Sequence, residues 1–166
     1  MSAAKTLNYE DVTQGYNPEA WKKDILHGRI IAIAIGTKDG SEDGSKAFYW
    51  TINNLLATSK NIGNKLVLLT GVAEKSSEPD LNVARQLLAT HVSRVKTAGI
   101  DVDAVPVRAL ILKGDVRTSV CDAVDELGVD VLVVGTRGLG AVKRVVLGSV
   151  SDYLSKNVSC TCIIAK

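Results

Sequence analysis

The sequence predicts a single α/β domain in which helices cover both faces of a parallel sheet. Short apolar runs of Val, Ile, Leu and Ala alternate with longer segments whose apolar residues recur at helical spacing. Aromatic residues make up only 4% of the 166 residues, so aliphatic side chains must build the core. Uninterrupted aliphatic strands are typical of parallel sheets that are buried on both faces. The strict alternation of strands and helices therefore favours a doubly wound fold with right-handed crossovers.

Five apolar runs are predicted to form the strands of this sheet. The third run contains Pro106, which predicts an edge strand or a bulge because proline lacks the N–H of a sheet ladder. Asp80 is the N-cap candidate of a long helix that stops at Gly99, and Gly114-Asp115 opens the next helix. The predicted strands are residues 29–35, 65–72, 103–112, 129–134 and 161–164, and the last helix is predicted over residues 149–157.

The chain divides into two regions at about residue 29. Residues 29–166 carry all five predicted strands and form the predicted domain, whereas residues 1–28 form an N-terminal extension. The extension contains a short amphipathic piece, residues 19–26, in which Trp21 and Ile25 share one helical face. Two alternatives stay open for this piece: one docked turn of helix, or a flexible tail.

Charge and hydropathy exclude several classes of function. The net charge is only +2 and the basic residues are scattered, which argues against nucleic-acid binding. No apolar stretch approaches the ~20 residues that a membrane span needs. The polar residues 1–17 also lack the apolar region of a secretory signal. We therefore expect a cytoplasmic protein with no membrane and no nucleic-acid partner.

Side chains suited to catalysis or metal binding are few. Cys160 and Cys162 share one face of a strand without Cys-x-x-Cys or metal spacing, so the cysteines are interpreted as small buried residues in a reducing compartment. His91 falls on the apolar side of its helix, and the acidic residues of the following helix form a solvated face. No catalytic residue and no metal ligand from the protein are expected.

A glycine-rich loop after the fourth strand is the segment most typical of a binding site. Gly135 follows that strand directly, Gly138 comes three residues later, and Gly148-Ser149 begins the last helix. Glycines let the backbone turn sharply and approach a ligand without a Cβ in the way. The free N–H groups and the dipole of a helix N-terminus suit a phosphate. Further phosphate contacts are expected from the hydroxyls of Ser149 and Ser151 and from Arg137.

The spacing of this loop, Gly-x-x-Gly followed by nine residues and Gly-Ser, matches neither the Walker loop nor the dinucleotide-binding motif. It resembles the ATP-binding branch of the universal stress proteins. The alternative interpretation is a plain turn whose glycines only satisfy backbone geometry. The resemblance covers about residues 29–166 and includes Ala47-Phe-Tyr-Trp50, Leu66-Val-Leu-Leu69, Gly114-Asp115 and Val150-Ser-Asp-Tyr-Leu.

The resemblance implies an adenine nucleotide alpha hydrolase-like fold with five parallel strands in the order 3-2-1-4-5 and two helices on each face. It implies ATP as the ligand, with Mg or Mn held through the phosphates. It also implies a homodimer that pairs through the last strand, residues 161–165. An edge strand of this kind presents unpaired N–H and C=O groups that a two-fold partner can satisfy.

The site residues implied by the resemblance fall into two groups. Ala34, Ile35 and Gly36 contact adenine or ribose, and Gly71 adds a backbone contact from the second strand. The family usually has Asp directly after the first strand, where this chain has Gly36; counting back from the first helix places Asp39 at that spacing. The phosphates are expected to lie against a second set of residues: Gly135, Arg137, Gly138, Gly148, Ser149, Val150 and Ser151. Val134, at the end of the fourth strand, is a further expected binding residue.

The function expected from these observations is a nucleotide-dependent binding module of a stress response, with a regulatory role. One alternative is a slow ATP hydrolase or phosphotransferase, and the sequence leaves enzymatic activity open. The other alternative is a dimeric scaffold that binds no nucleotide. The sequence does not specify the protein partner of such a module.

Overall fold

The computed structural model describes residues 7–15, 17–21, 28–36, 42–57, 63–136 and 148–166. A 3-10 helix spans Pro18–Trp21, and five π-helical residues, Ile52–Leu56, continue the first α-helix. The strands in the described ranges are β1 (Tyr9–Asp11), β2 (Ile30–Ala34), β3 (Lys65–Val72), β4 (Val107–Lys113), β5 (Val131–Gly135) and β6 (Thr161–Ala165). The α-helices there are α1 (Glu42–Thr51), α2 (Glu78–Thr97), α3 (Val116–Leu127) and α4 (Ser149–Asn157).

The strands form one mixed sheet of six strands in the order β1-β4-β3-β2-β5-β6. Strands β2 to β6 pair in parallel, and β1 pairs antiparallel with β4. The expected sheet of five parallel strands is therefore wrong, because the N-terminal region contributes a sixth strand. The alternation of strands and helices from β2 onward is confirmed.

Long-range contacts hold β1 in place, which is why the sequence pattern did not reveal it. Three residues are too few to show the alternation of a strand. Asp11 accepts a hydrogen bond from Nε of Arg108 at 2.8 Å, and Glu10 accepts one from Nε of Arg85 at 2.7 Å. The guanidinium of Arg108 also lies against the rings of Tyr9 and Trp21 at 5.7 and 5.9 Å. These partners lie 75 or more residues away along the chain.

The start of β4 corrects the interpretation of Pro106. The strand begins at Val107, one residue after the proline, so Pro106 lies outside the ladder. Its carbonyl accepts a hydrogen bond from the N–H of Leu66 at 2.9 Å, which uses the one polar group that proline retains. Strand β4 is not an edge strand, because β1 and β3 pair with its two sides.

The helix starts correct one prediction and confirm two. Ser77, not Asp80, is the N-cap of α2, and Asp80 is the third helical residue of a capping box. Asp115 is the N-cap of α3, and its carboxylate accepts hydrogen bonds from the backbone of Arg117 at 3.0 Å and Thr118 at 3.4 Å. Helix α4 begins at Ser149 as predicted.

The core has two layers, one on each face of the sheet. One layer packs α1 and α2 onto the sheet around Phe48, Leu88 and Ile33, and the other packs α3 and α4 around Val120 and Leu154. No helix in the described part of the chain is long and apolar enough to cross a membrane. The architecture is thus the doubly wound arrangement that the composition predicts.

The first layer buries the side chain of His91, which is 3% exposed. Its Nδ1–H donates to the Leu87 carbonyl at 2.8 Å, and its ring lies edge-on to Phe48 at 5.0 Å. The other ring nitrogen, Nε2, is buried without a hydrogen-bond partner. Burial lowers the pKa of His91 below its ordinary value.

This histidine should make the fold acid-sensitive. The folded-state pKa lies below the unfolded one, so stability is lost as the pH falls below about 6.5, by at most about 1.4 kcal/mol per pH unit. His91→Leu should remove that slope in urea unfolding measured between pH 7.5 and 5.5. His27→Gln measures separately how much of the slope belongs to the other histidine. An unchanged slope in His91→Leu would contradict the assignment.

Candidate functional site

A cavity of about 660 Å³ lies at the carboxyl ends of β2, β3 and β5. Strand β2 is central, with β3 on one side and β5 on the other. The connection after β2 leads toward β3 and the connection after β5 leads the opposite way, toward β6, so the strand order reverses at this point. Ligands bind in such a crevice in open α/β sheets. The residues predicted for the site that line the cavity are Ala34, Ile35, Gly36, Gly71, Val134, Gly135, Val150 and Ser151.

The remaining predicted site residues are placed differently. Gly148 and Ser149 begin α4, directly before the two cavity-lining residues of that helix. Asp39, Arg137 and Gly138 lie outside the described residues. The structure therefore brings together the predicted adenosine residues and the helix end of the glycine loop.

Backbone hydrogen bonds fix the floor of the cavity. The N–H of Ile35 donates to the Leu69 carbonyl at 2.8 Å, and the Ile35 carbonyl accepts from the Thr70 hydroxyl at 2.8 Å. The backbone N–H and carbonyl of Ile35 thus both form hydrogen bonds with β3, just beyond the end of β2. Thr70 is buried and lines the cavity, yet the sequence interpretation missed it. The available signal was a single hydroxyl at the end of the apolar run of β3.

Gly71 allows β3 to approach α3 closely. A Cβ built on Gly71 would lie 2.6 Å from Cγ2 of Val116, which is shorter than any normal carbon contact. The sequence interpretation assigned Gly71 a backbone contact with the ligand. The structure adds a packing requirement, because Val116 occupies the space that a side chain would need.

The first turn of α4 faces the cavity without a side-chain cap. Its N-cap is Gly148, which has no side chain to accept hydrogen bonds from the first N–H groups. The Ser151 hydroxyl donates to the Gly135 carbonyl at 2.6 Å, so it ties the end of β5 to the start of α4. This hydroxyl, predicted as a phosphate donor, is engaged with the backbone in the structure. The two ends of the glycine loop are thereby held together.

Two further helices begin at the same cavity, and each has a carboxylate at its start: Asp80 in the capping box of α2 and the N-cap Asp115 of α3. Asp80 of α2 and Asp115 of α3 line the cavity, and both bind backbone N–H groups at their own helix starts. The guanidinium of Arg117, 2.9 Å from the Asp115 carboxylate, lowers the pKa of Asp115 to about 2. The Asp115 carboxylate is therefore ionised at neutral pH. The cavity has an uncapped helix start at α4 and negatively charged starts at α2 and α3.

Sequence reasoning assigned Asp80 and Asp115 only to helix starts and missed their place in the cavity. No local pattern reports that three helix starts converge, because convergence depends on the strand order. The cysteines lie elsewhere, half-buried and unpaired, and burial raises the pKa of the Cys121 thiol above its ordinary value. Within the described ranges, no group of three His, Cys, Asp or Glu side chains is arranged to hold a metal ion.

The family model of the universal stress protein family matches residues 29–166. The chain belongs to the universal stress protein family. A universal stress protein A-like protein of Arabidopsis thaliana is 27% identical over 139 residues, which cover 73% of this chain and 77% of that protein. Family membership thus holds from β2 to β6.

Solved structures of the family share the fold. A universal stress protein from Archaeoglobus fulgidus aligns with a TM-score of 0.65 at 16% identity, over 85% of this chain and 96% of that one. Its complex with dAMP aligns with a TM-score of 0.64 at 16% identity, over 83% and 98%. A family protein from Arabidopsis thaliana with AMP bound aligns with a TM-score of 0.61 at 24% identity, over 83% and 90%.

The contact between Gly71 and Val116 should be measurable as a coupling energy. Gly71→Ala is expected to cost about 1–3 kcal/mol of unfolding free energy, because the new methyl group meets Val116. Val116→Ala in the same chain should recover part of that loss. Urea unfolding of the two single variants and the double variant gives the coupling. Strictly additive losses would contradict the close approach.

Proposed function

We propose that this universal stress protein binds ATP in the cavity at the ends of β2, β3 and β5, with Mg or Mn held through the phosphates. It would act as a nucleotide-dependent binding module in a stress response. The bound AMP and dAMP of the structures aligned above support an adenine nucleotide as the ligand class. The cavity volume of about 660 Å³ is within the usual range for small-molecule sites.

The uncapped start of α4 is the observation that carries this proposal. A glycine N-cap leaves the N–H groups of the first turn available, and the helix dipole adds partial positive charge there. Val150 and Ser151 of that turn line the cavity. A phosphate placed at this end can accept hydrogen bonds from the N–H groups of the first turn. Gly148 cannot accept them, because it has no side chain. The nucleoside then extends toward Ile35 and Gly71.

The polar side chains of the cavity support binding rather than catalysis. Thr70 donates to the Ile35 carbonyl, Ser151 donates to the Gly135 carbonyl, and Asp115 caps α3. A general base needs a free acceptor poised near neutral pH, whereas the lowered pKa of Asp115 makes it a poor base. We therefore assign the described residues to recognition of the nucleotide.

Gly148→Asp should separate nucleotide binding from stability. Gly148 has φ −60° and ψ 147°, which any residue can adopt, and Asp is a favoured N-cap. The new carboxylate would cap α4 itself and repel phosphate. ATP affinity should fall at least tenfold, or about 1.4 kcal/mol, while the free energy of unfolding stays the same or rises by a few tenths. Calorimetric titration and urea unfolding measure the two quantities.

Two controls sharpen this experiment. Gly148→Asn adds a neutral cap of the same shape, so the difference between the Asp and Asn variants reports the charge alone. Adenosine, which lacks phosphates, should bind the Asp variant and the unmodified protein equally. If the unmodified protein does not bind ATP, or if Gly148→Asp binds it as tightly, the glycine loop is only a turn.

We also propose that the protein is a homodimer that pairs through β6. Within the described sheet, β6 is an edge strand that pairs with β5 on one side. Thr161 donates to the Asp130 carbonyl and the Ala165 carbonyl accepts from Thr136, so the backbone groups of these residues face β5. By alternation, the backbone groups of Cys162 face the open edge. A two-fold copy of β6 can pair there.

Proline substitutions can test the pairing from each side. Cys162→Pro removes an outward N–H and should yield a folded monomer. Ile163→Pro removes an N–H toward β5 and should instead lower the denaturant midpoint. Sedimentation at micromolar concentration gives the mass, and urea unfolding gives the stability. A monomeric unmodified protein at that concentration would overturn the proposed dimer.

A further inference from the structure

The charges at the three helix starts make the cavity asymmetric. The described lining residues include two carboxylates, Asp80 and Asp115, and no Lys or Arg. Asp80 accepts from the backbone N–H and the hydroxyl of Ser77, at 3.2 and 2.6 Å, within its capping box. Asp115 caps α3 on the face of the sheet that also carries α4. The cavity lining thus combines the first turn of α4, which offers backbone donors, with two carboxylates from the starts of α2 and α3.

Asp115 keeps accepting capacity toward the cavity. Its Oδ1 accepts from the backbone of Arg117 and Thr118 and from Nε of Arg117, whereas among the described residues its Oδ2 accepts from Nη2 of Arg117. A carboxylate oxygen has two lone pairs, so Oδ2 has room for another donor. The Asp115 side chain is 47% exposed, which leaves that oxygen accessible.

The Arg117 guanidinium does not cancel this charge inside the cavity. It lies 5.6 Å from the centre of the Tyr153 ring of α4 and is not among the residues that line the cavity. A group inside the cavity therefore meets the carboxylate, which lines the cavity, and not the guanidinium, which does not.

We propose that Asp115 is a specificity-determining residue that rejects a second phosphate at the nucleoside end of the ligand. The inference rests on the proposed nucleotide function and adds to it an orientation and a ligand class. The phosphate chain of the ligand binds at α4. The nucleoside end of the ligand must be neutral or donate hydrogen bonds. Nucleotides that carry a further phosphate on the ribose are excluded by like-charge repulsion.

The test compares two ligands that differ by one phosphate. AMP has one phosphate, and adenosine 3′,5′-bisphosphate has a second on the other side of the ribose. The unmodified protein should bind AMP more tightly, and Asp115→Asn should reduce that preference roughly fivefold or more, since Asn keeps the N-cap but loses the charge. Asp115→Ser, another favoured cap, provides a second variant. Calorimetric titration of both ligands gives the ratio.

Three controls make the outcomes distinguishable. Glu126→Gln removes one charge from the exposed far end of α3 and should leave the ratio unchanged. Raising the salt concentration should reduce the preference of the unmodified protein but not that of Asp115→Asn. Thermal unfolding confirms that each variant is folded.

Each result supports or overturns the inference. If AMP binds and Asp115→Asn and Asp115→Ser leave the ratio unchanged, the selectivity is not due to Asp115, and the proposed nucleotide site stands without it. If the unmodified protein binds the bisphosphate as tightly as AMP, the inference also fails. If it binds neither AMP nor ATP, the proposed function fails and the inference falls with it.

Discussion

The central strand β2 must satisfy hydrogen bonds on both of its edges, and this requirement places the other elements. Its residues pair with β3 on one side and β5 on the other. At its start, Ile30 donates to the Asp130 carboxylate at 2.8 Å and accepts from the Asp130 N–H at 2.8 Å, which locks β5 in register. At its far end, the backbone hydrogen bonds of Ile35 within the described ranges all go to β3. The cavity opens where this two-sided pairing stops.

The helix starts around the cavity show a compromise between stability and binding. Asp115 and the Ser77–Asp80 box give α3 and α2 the caps that stabilise helices best. Helix α4 has Gly148 in the same position, which costs a few tenths of a kcal/mol relative to a polar cap. Among the helix starts that line the cavity, the fold tolerates that cost at α4, where a ligand would supply the missing acceptors. A helix start without a favoured N-cap residue departs from the usual sequence preference, and such departures are typical of functional sites.

Structural features that nearby residues determine were predictable from the sequence, and features that depend on residues far away along the chain were not. The bounds of α4 and the cap at Asp115 followed from nearby residues. Strand β1 did not, because ion pairs to Arg85 and Arg108 position it. In the site, glycines after a strand predicted a binding loop, and its two described ends, Gly135 and Ser151, lie at the cavity. Thr70 was not predicted, because its hydroxyl donates to the Ile35 carbonyl just beyond the end of the neighbouring strand, and the local sequence does not indicate that contact.

The N-terminal strand changes what the sheet can offer to other chains. On that side the sheet ends in β1, three residues that include Glu10 and Asp11, and a short charged edge is a poor template for further pairing. On the other side it ends in β6, which is longer and more apolar. A sheet with one receptive edge can join a single copy and then stop, whereas two receptive edges would allow growth without limit. Through β1, residues that precede the family domain leave the described sheet with one edge, β6, that is suited to further pairing.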